Sequence, residues 1–270
     1  MSKTVTSRQI LSILPIFLFF GCHGSPPFQK VPEKPVRLRL AAATDLQPWL
    51  GEAIEKWGSE QMPALTIQTI YGSSGQLAAQ IRAGAPIDLF LAADIKIVEQ
   101  LAFEKIAIPE SVKLYGIGRL VLIFRKSLAP KAWTDLDLTD LKKLSIANPE
   151  TAPYGRAARD SLQYAGLWSK VRDRIVIAES VRQALQQVLS GNSEFGIVAL
   201  GQAKEAIQKN TEFGYLEIPE PSHPPIRQGL AVIAHADQTE SALNSANQLA
   251  DWITSNQTTK LFQNHGIHRP

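Results

Sequence analysis

Hydroxyl residues begin three predicted helices, and each is followed three positions later by a glutamine. The three segments are Thr44-Asp45-Leu46-Gln47, Ser73-Ser74-Gly75-Gln76 and Ser180-Val181-Arg182-Gln183. This is the spacing of a capping box, in which the side chains satisfy the free N–H groups of a helix start. Those N–H groups and the positive end of the helix dipole also attract anions. The segments therefore indicate either three self-contained caps or parts of an anion site.

The segment around Ser74 is the most informative of the three. It follows the apolar run that ends at Tyr71 and contains no lysine or arginine. An anion held there would be bound by backbone and hydroxyl hydrogen bonds and not by an opposite charge. We predict that Ser74 contacts the ligand and that Ser73 caps the helix.

Elements of alternating type position these segments. Predicted strands are Val36–Ala43, Leu65–Tyr71, Ile87–Ala92, Gly118–Arg125, Leu144–Ala147, Ile175–Ala178, Phe195–Leu200 and Gly229–Ala234. Predicted helices are Leu46–Gln61, Gly75–Ala83, Lys96–Phe103, Gly155–Ala165, Val181–Ser190, Gly201–Gln208 and Thr239–Ser255. The alternation is typical of an α/β fold with mainly parallel sheets, which bind ligands where strands turn into helices.

The N-terminal segment indicates secretion. Lys3 and Arg8 precede an apolar run from 10 to 20, and Gly21-Cys22 follows it. These features predict a signal peptide over 1–21. The position of Cys22 resembles the lipobox of bacterial lipoproteins, which implies lipidation of Cys22; ordinary signal-peptide cleavage is the alternative. The proline-rich stretch 22–35 is expected to serve as the lipid-anchor and linker segment.

Composition excludes several classes of protein. The chain has 28 basic and 25 acidic residues, and removing Lys3 and Arg8 with the signal leaves a nearly neutral body. A nucleic-acid partner would require a basic excess, so none is expected. Cys22 is the sole cysteine, which excludes a disulfide within the chain.

Several motifs together resemble one family, the substrate-binding proteins of bacterial molybdate ABC transporters. The motifs lie in the family's order and spacing from about Val36 to the C-terminus. They are Ala41-Ala42-Ala43-Thr44-Asp45-Leu46, Gly72-Ser73-Ser74-Gly75-Gln76-Leu77, the run 84–94 GAPIDLFLAAD, the run 147–155 ANPETAPYG, Glu179-Ser180-Val181-Arg182 and Gly196-Ile197-Val198-Ala199-Leu200.

The resemblance implies a two-lobed periplasmic-binding-protein fold of type II, with the ligand in a cleft between lobes that close by a hinge motion. It assigns 36–118 plus 230–270 to lobe one and 119–229 to lobe two. The protein is expected to be a monomer outside the cytoplasm, in the periplasm or at the cell surface. It would be held to the membrane by the lipid anchor and would deliver its cargo to a permease and an ATPase.

The resemblance also implies which residues contact the oxyanion. Thr44, Asp45 and Ser74 would do so from lobe one, and Tyr154 and Val181 from lobe two. Hydroxyl and backbone N–H donors are expected from Thr44 and Ser74, and mainly backbone N–H donors from the others. Some family members have a further tyrosine where this chain has Ala199, so that donor is missing.

Acidic and basic residues near the motifs are given supporting roles. A carboxylate pointing at a dianion is unfavourable, so the Asp45 side chain is expected to turn away and cap the helix from Leu46. Asp94 is expected to cap a helix and Asp88 to accept a hydrogen bond at a strand start. Arg156 and Arg182 are expected outside the cavity, as rim charges or salt-bridge partners; Arg82 and Arg119 are read in the same way.

A cavity made only of donors suits molybdate or tungstate, which are dianions with acceptor oxygens alone. It would reject protonated anions, whose proton would stay unpaired, and would separate molybdate from sulfate by size. The sequence does not separate molybdate from tungstate. The anion would be cargo, so no cofactor and no direct metal ligand are expected.

Other functions fit less well. A nucleophile elbow would require glycine at Gln76, and no histidine lies in the site motifs, so an enzyme is not expected. Another tetrahedral oxyanion, such as sulfate or phosphate, is the main alternative ligand. Ferric iron would require paired tyrosines and carboxylates, and an organic acid would require an arginine. A DNA-binding regulator would have a DNA-binding segment in place of the secretion signal.

Overall fold

The computed structural model describes residues 36–136 and 141–269. The predicted signal peptide, the linker and Cys22 lie outside the described residues. Within them, no helix has the length and apolarity needed to cross a bilayer.

Two mixed β-sheets organise the described residues. The first has six strands in the order β11-β4-β10-β3-β1-β2, and the second has five in the order β7-β6-β8-β5-β9. The strands are β1 Val36–Ala43, β2 Leu65–Gly72, β3 Leu89–Ala92, β4 Lys113–Gly118, β5 Leu120–Arg125, β6 Leu144–Ala147, β7 Ile175–Ala178, β8 Phe195–Ala199, β9 Phe213–Glu217, β10 Ile226–Val232 and β11 Ile267–His268.

Helices connect and cover the sheets. They are α1 Leu50–Gln61, α2 Ser74–Arg82, α3 Ile95–Phe103, α4 Pro153–Tyr164, α5 Trp168–Val171, α6 Val181–Leu189, α7 Leu200–Lys209, α8 Glu240–Thr254 and α9 Thr259–Asn264. Short 3₁₀ turns occur at Thr44–Leu46, Pro109–Ser111, Lys126–Leu128, Arg172–Arg174, Glu220–Ser222 and Asn256–Thr258.

The prediction of mainly parallel sheets is wrong. Strand β1 pairs in parallel with β2 and β3, and β6 with β7 and β8. The strands next to the points where the chain changes sheets run the other way: β10 is antiparallel to β3 and β4, and β5 to β8 and β9. Each of them is inserted between two strands that a helix joins: β10 lies between β3 and β4, joined through α3, and β5 lies between β8 and β9, joined through α7. The parallel rule applies to the strands that the helix joins and not to the strand inserted between them.

The first sheet lies between two helical layers. Leu38 and Leu40 of β1 pack with apolar residues of α1, α8 and α9 on one face, while Ala41 packs with α2 and α3 on the other. Alternate residues of a strand point to opposite faces, which explains how β1 serves both cores. The second sheet shares one continuous core with α4, α6 and α7.

The chain passes between the sheets at Arg119 and again between β9 and β10. The predicted lobe boundary after residue 118 lies at the first crossing, whereas the boundary after residue 229 falls inside β10. The residue ranges of the lobes stay a prediction. Below, the first lobe is the part built on the six-stranded sheet, and the second lobe is the part built on the five-stranded sheet.

Candidate functional site

A small cavity lies where helix starts from both lobes meet. Its volume is about 10 Å³, far below the roughly 300–1,000 Å³ of pockets for drug-sized ligands. The lining residues are Ala43, Thr44, Asp45, Gly72, Ser73, Ser74, Ala93, Ala152, Pro153, Tyr154 and Val181. The structure thus brings together all five residues that the sequence pointed to, and this wall contains no lysine or arginine.

Ser74 is oriented to donate a hydrogen bond. It is the first residue of α2 and is almost fully buried. Its Oγ accepts a hydrogen bond from the Ala93 N–H at 2.9 Å, which leaves the hydroxyl hydrogen for another acceptor. The N–H groups of the first helical turn have no carbonyl partner within their own helix. Ser74 therefore offers two kinds of donor.

The prediction that the Ser73 side chain caps α2 is wrong. Ser73 occupies the N-cap position, but its side chain accepts no backbone N–H. Its Oγ donates instead to Gln76 Oε1 at 2.9 Å. The two side chains satisfy each other, so the capping box is not formed at α2.

Thr44 begins the 3₁₀ turn, which Ala43 precedes as the N-cap residue without a side-chain cap. The Thr44 carbonyl accepts from Gln47 N at 3.2 Å and from Gln202 Nε2 of α7 at 2.6 Å. The predicted Thr44–Gln47 capping box is therefore absent, and Thr44 is fixed through its backbone. The predicted helix from Leu46 also begins later, at Leu50.

The Asp45 side chain does not cap a helix, contrary to the prediction. It is 3% exposed, and its Oδ2 accepts from Gln228 Nε2 at 2.6 Å and from the Tyr154 hydroxyl at 3.3 Å. Oδ1 has no hydrogen-bond partner among the described residues. Since Gln228 and Tyr154 supply donors inside the protein, the carboxyl is held in the interior and not turned outward to solvent.

Burial governs the ionisation of this cluster. It raises the pKa of the Asp45 carboxyl to about 6, although hydrogen bonds from Gln228 and Tyr154 oppose the rise. Burial, and then the negative charge of Asp45, also raise the pKa values of the Tyr154 and Tyr115 hydroxyls well above their usual range. Both tyrosines therefore keep their protons and remain donors near neutral pH.

The second lobe reaches the cavity with helix starts. Tyr154 is the second residue of α4 and Val181 the first of α6, so their N–H groups lie in first turns that lack carbonyl partners. At α6, Ser180 Oγ accepts from Gln183 N at 3.2 Å, and Gln183 Oε1 accepts from Glu179 N at 2.5 Å. Here the predicted capping interaction is confirmed. Tyr154 was expected to act mainly through its backbone, but its hydroxyl also bonds Asp45.

Direct contacts close the cleft. Gly75 N donates to Thr151 O at 2.8 Å, and Arg156 of α4 pairs with Asp94 at 2.6 Å. A Cβ on Gly75 would lie 2.6 Å from Thr151 O, so closure of this kind requires glycine. Asp94 also caps α3 by accepting from Lys96 N, as predicted.

Other charged residues lie away from the cavity wall. Arg182 pairs with Glu205 at 2.7 Å, which agrees with the predicted role as a salt-bridge partner. Asp88 accepts from Arg39 N at 2.6 Å and contacts His235 Nε2 at 2.8 Å, as expected for a strand-start acceptor. No cluster of three or more metal-ligating side chains occurs in the described residues.

Gln228 is the main residue that sequence reasoning missed. It is fully buried in β10 and bonds both Asp45 and Tyr154, the latter at 2.9 Å. Its signal is a polar residue between Ile226 and Leu230 on one face of an apolar strand. Gly118 completes the arrangement, because a Cβ there would lie 2.2 Å from the Tyr154 hydroxyl oxygen.

Comparison with known proteins agrees with this geometry. The family model described as bacterial extracellular solute-binding protein matches residues 38–268. The chain belongs to this family. As a solute-binding protein of the ABC-transporter type, it is an extracytoplasmic carrier and not an enzyme, as predicted, and what it binds is cargo and not a cofactor.

Individual relatives support the resemblance seen in the motifs. A Bacillus subtilis protein assigned as an ABC transporter substrate-binding lipoprotein is 31% identical over 259 residues, 96% of each chain. A molybdate-binding protein of Azotobacter vinelandii is 33% identical over 199 residues, 73% of this chain and 77% of the relative.

The solved structure of the Azotobacter vinelandii periplasmic molybdate-binding protein has a TM-score of 0.74 at 31% identity and covers 86% of this solute-binding protein and 99% of its own chain. The resemblance to molybdate-binding substrate-binding proteins and the two-lobed periplasmic-binding-protein fold are thereby confirmed.

Proposed function

We propose that this solute-binding protein captures molybdate, and tungstate with it, and presents the anion to an ABC importer. The observation that carries the proposal is the small cavity at which helix starts from both lobes converge. Relatives with this fold and about a third of the residues in common are molybdate-binding proteins. The contact residues we propose are Thr44, Asp45, Ser74, Tyr154 and Val181.

Backbone and hydroxyl donors would hold the anion. Ser74 offers its hydroxyl hydrogen, and the starts of α2, α4 and α6 offer N–H groups. Each helix dipole would add about 0.5–2 kcal/mol in a partly buried site. A donor to a buried charged group is worth about 1.5–3 kcal/mol. Several such donors account for tight binding of a dianion without a lysine or arginine in the cavity wall.

The chemistry of the lining supports an inorganic anion. The residues that line the cavity include no arginine to bind the carboxylate of an organic acid. An ion with four oxygens would enter while the cleft is open, and hinge closure would bring the Gly75–Thr151 contact together around it. The larger radius of molybdate would then favour it over sulfate.

Asp45 changes the expected basis of selection. The sequence suggested a wall of donors alone, yet Asp45, one of the lining residues, carries a buried carboxyl. As a carboxylate, Asp45 would accept the proton of hydrogen phosphate. As a neutral acid, it would restore a wall made of donors and exclude that anion. Selection against phosphate therefore depends on the proton of Asp45.

The deciding experiment is calorimetric titration of the chain from residue 23 onward, whose folded body is a compact unit of its own. Molybdate, tungstate, sulfate and phosphate are titrated separately near neutral pH. We expect molybdate and tungstate to bind at least about 100-fold more tightly than the other two, a difference of about 2.7 kcal/mol. Equal affinity for sulfate or phosphate would contradict the proposal and favour the alternative oxyanion.

Membrane attachment through Cys22 is a separate part of the proposal. It is supported by the Gly21-Cys22 motif and by the Bacillus subtilis relative, whose name describes it as a substrate-binding lipoprotein. We expect Cys22→Ser to move the protein from the membrane fraction to the soluble fraction of its native host. An unchanged distribution would show that Cys22 carries no lipid. We further propose that the carrier is monomeric.

A further inference from the structure

We infer that Asp45 takes up a proton when the oxyanion binds, so that the protein captures its cargo more tightly as the pH falls. The inference rests on the proposed function, because it concerns the same cavity. The proposed function uses the backbone N–H of Asp45 as a donor to the anion, whereas this inference concerns the protonation of its carboxyl.

The hydrogen bonds around Asp45 leave room for one proton. Oδ2 accepts from both Gln228 and Tyr154, whereas Oδ1 has no donor among the described residues. Gln228 Oε1 is a second buried acceptor without a described donor. The cluster thus contains more buried acceptors than donors, and such groups are costly to leave unpaired. A proton on Oδ1 would turn one acceptor into a donor.

The cations of α4, α6 and α7 are bonded to other groups, and Arg227 of β10 is exposed to solvent. On α4, Arg156 pairs with Asp94; on α6, Arg182 pairs with Glu205 of α7. The remaining cations of α7 are also bonded elsewhere, Lys204 to Asn264 O and Lys209 to Glu205. From β4 and α4, the titratable groups that face Asp45 are the hydroxyls of Tyr115 and Tyr154, which are neutral.

The incoming anion would make the ionised form of Asp45 unfavourable. The carboxylate of Asp45, a residue that lines the cavity, would repel a bound dianion, and at the low dielectric of a protein interior this repulsion reduces affinity by several orders of magnitude. Protonating a carboxyl whose pKa is about 6 reduces the affinity for the anion by only about tenfold at pH 7. The complex with a protonated Asp45 is therefore the more stable one.

The pH dependence follows with a definite sign. The bound anion raises the pKa of Asp45 above its value in the free protein. Below the lower of the two values, Asp45 is protonated in both states and the affinity is constant. Between them, the affinity falls about tenfold for each unit of rise in pH, because one proton must be taken up.

The test is titration of the same protein with sodium molybdate, from about pH 6.5 to about pH 8.5, in two buffers of different ionisation enthalpy. The difference in heat between the buffers gives the number of protons taken up. We expect close to one proton near pH 7.5, and a dissociation constant that rises about tenfold per pH unit.

Asp45→Asn is the first variant, because the amide resembles the neutral acid. We expect no proton uptake, a dissociation constant independent of pH, and tighter binding than the wild-type protein at the highest pH. Its far-ultraviolet circular dichroism is compared with wild type to confirm folding. Proton uptake that persists in this variant would overturn the assignment to Asp45. Another group that the variant retains, such as a histidine, would then be the proton acceptor.

Tyr154→Phe is the second variant and tests the same linkage without altering Asp45. It removes a donor to the ionised carboxylate, so the pH above which the affinity begins to fall should move upward. An unchanged profile would overturn the inference. Molybdate binding by wild-type protein without proton uptake would do the same and leave the proposed function intact, whereas no molybdate binding at any pH would remove both.

Discussion

The two lobes form opposite walls of the cavity with different chemical groups. The first lobe contributes the polar side chains of Ser74 and Asp45 in addition to the N–H groups at the start of α2. The second contributes backbone N–H groups, because Val181 has no polar side chain and the Tyr154 hydroxyl is bonded to Asp45. The wall of the first lobe can therefore change with pH and with substitution, while that of the second depends on helix geometry.

The contrast is clearest at α2 and α6, whose starts have the same Ser-x-x-Gln pattern. Ser180 accepts from the backbone N–H of Gln183 and completes a cap. Ser73 donates to the Gln76 side chain, and its neighbour Ser74 accepts from Ala93 N. The pattern alone does not decide between these outcomes. At α2 the residue after β3, Ala93, adds a backbone donor, which bonds Ser74 and not Ser73.

The largest expected effect is on molybdate affinity, from a substitution at Gly75, where the two lobes are in contact. Gly75→Val places a side chain against Thr151 O, so the walls should no longer meet. We expect molybdate affinity to fall by about 3 kcal/mol or more, roughly 150-fold, by calorimetry. Gly51→Ala is the matched control, because its Cβ would have only an ordinary contact at 3.6 Å. If Gly75→Val binds like wild type, the two walls do not close through this contact.

The second prediction concerns the carboxyl in the first wall. With its pKa raised from 3.8 to about 6, Asp45 lowers the stability of the anion-free fold as pH rises from about 4 to about 6. The full cost at pH 7 is about 3 kcal/mol. Asp45→Asn should therefore raise the free energy of unfolding in denaturant by up to that amount at pH 7 and by little near pH 4.

Asp88→Asn serves as the control for this second prediction. Asp88 is also buried in the first lobe, but it has Arg39 and His235 as partners. Its substitution should lower stability at pH 7. If both variants lower the free energy of unfolding equally, then the fold stabilises the Asp45 carboxylate as well as it stabilises that of Asp88, and the prediction is wrong.

The third prediction distinguishes two neighbouring serines. Ser74→Ala removes the hydroxyl that faces the cavity and should weaken molybdate binding by about 1–3 kcal/mol. Ser73→Ala removes only a bond to the Gln76 side chain and should change the affinity less than threefold. Titration of both variants decides the matter, and equal losses would mean that Ser73 contacts the anion as well.

The smallest expected effect is on the helix starts. Ser180→Ala removes a cap and should lower the free energy of unfolding by about 1 kcal/mol, with molybdate affinity unchanged within about twofold because the Val181 N–H remains. Ser73→Ala should cost less stability, since it makes no backbone cap. Denaturant unfolding of the two variants compares the helix starts directly, and a greater loss for Ser73→Ala would reverse the comparison.

Local patterns were sufficient for part of the fold. The branched apolar runs gave β1 with its observed bounds and β2 within one residue, and the capping pattern gave the start of α6 at Val181. The strand Lys113–Gly118 and the strand Phe213–Glu217 were missed, because neither is a continuous apolar run. Their pairing is decided by long-range contacts to β10 and β5, which a single window of sequence does not contain.

The candidate site shows the same limit. Hydroxyls and N–H groups at helix starts are local features, and the segments that the family resemblance named lie around one cavity. The direction of the Asp45 side chain depends on Gln228, which is 183 positions away, and on Tyr154 in the other lobe. Repulsion by a dianion predicts that the carboxyl turns outward. The two donors that hold it inside are distant in sequence, so no local pattern reveals them.

The order of the strands has a consequence for how the chain folds during export. The second lobe has its complete sheet once Glu217 has emerged, because β5 to β9 form one uninterrupted stretch. The first lobe needs β10 between β3 and β4, and then β11 at the edge. When the chain is threaded from its N-terminus, the middle of the sequence can therefore mature before its beginning. Until the last fifty residues arrive, β3 and β4 expose unpaired edges, which is when the chain is most exposed to aggregation.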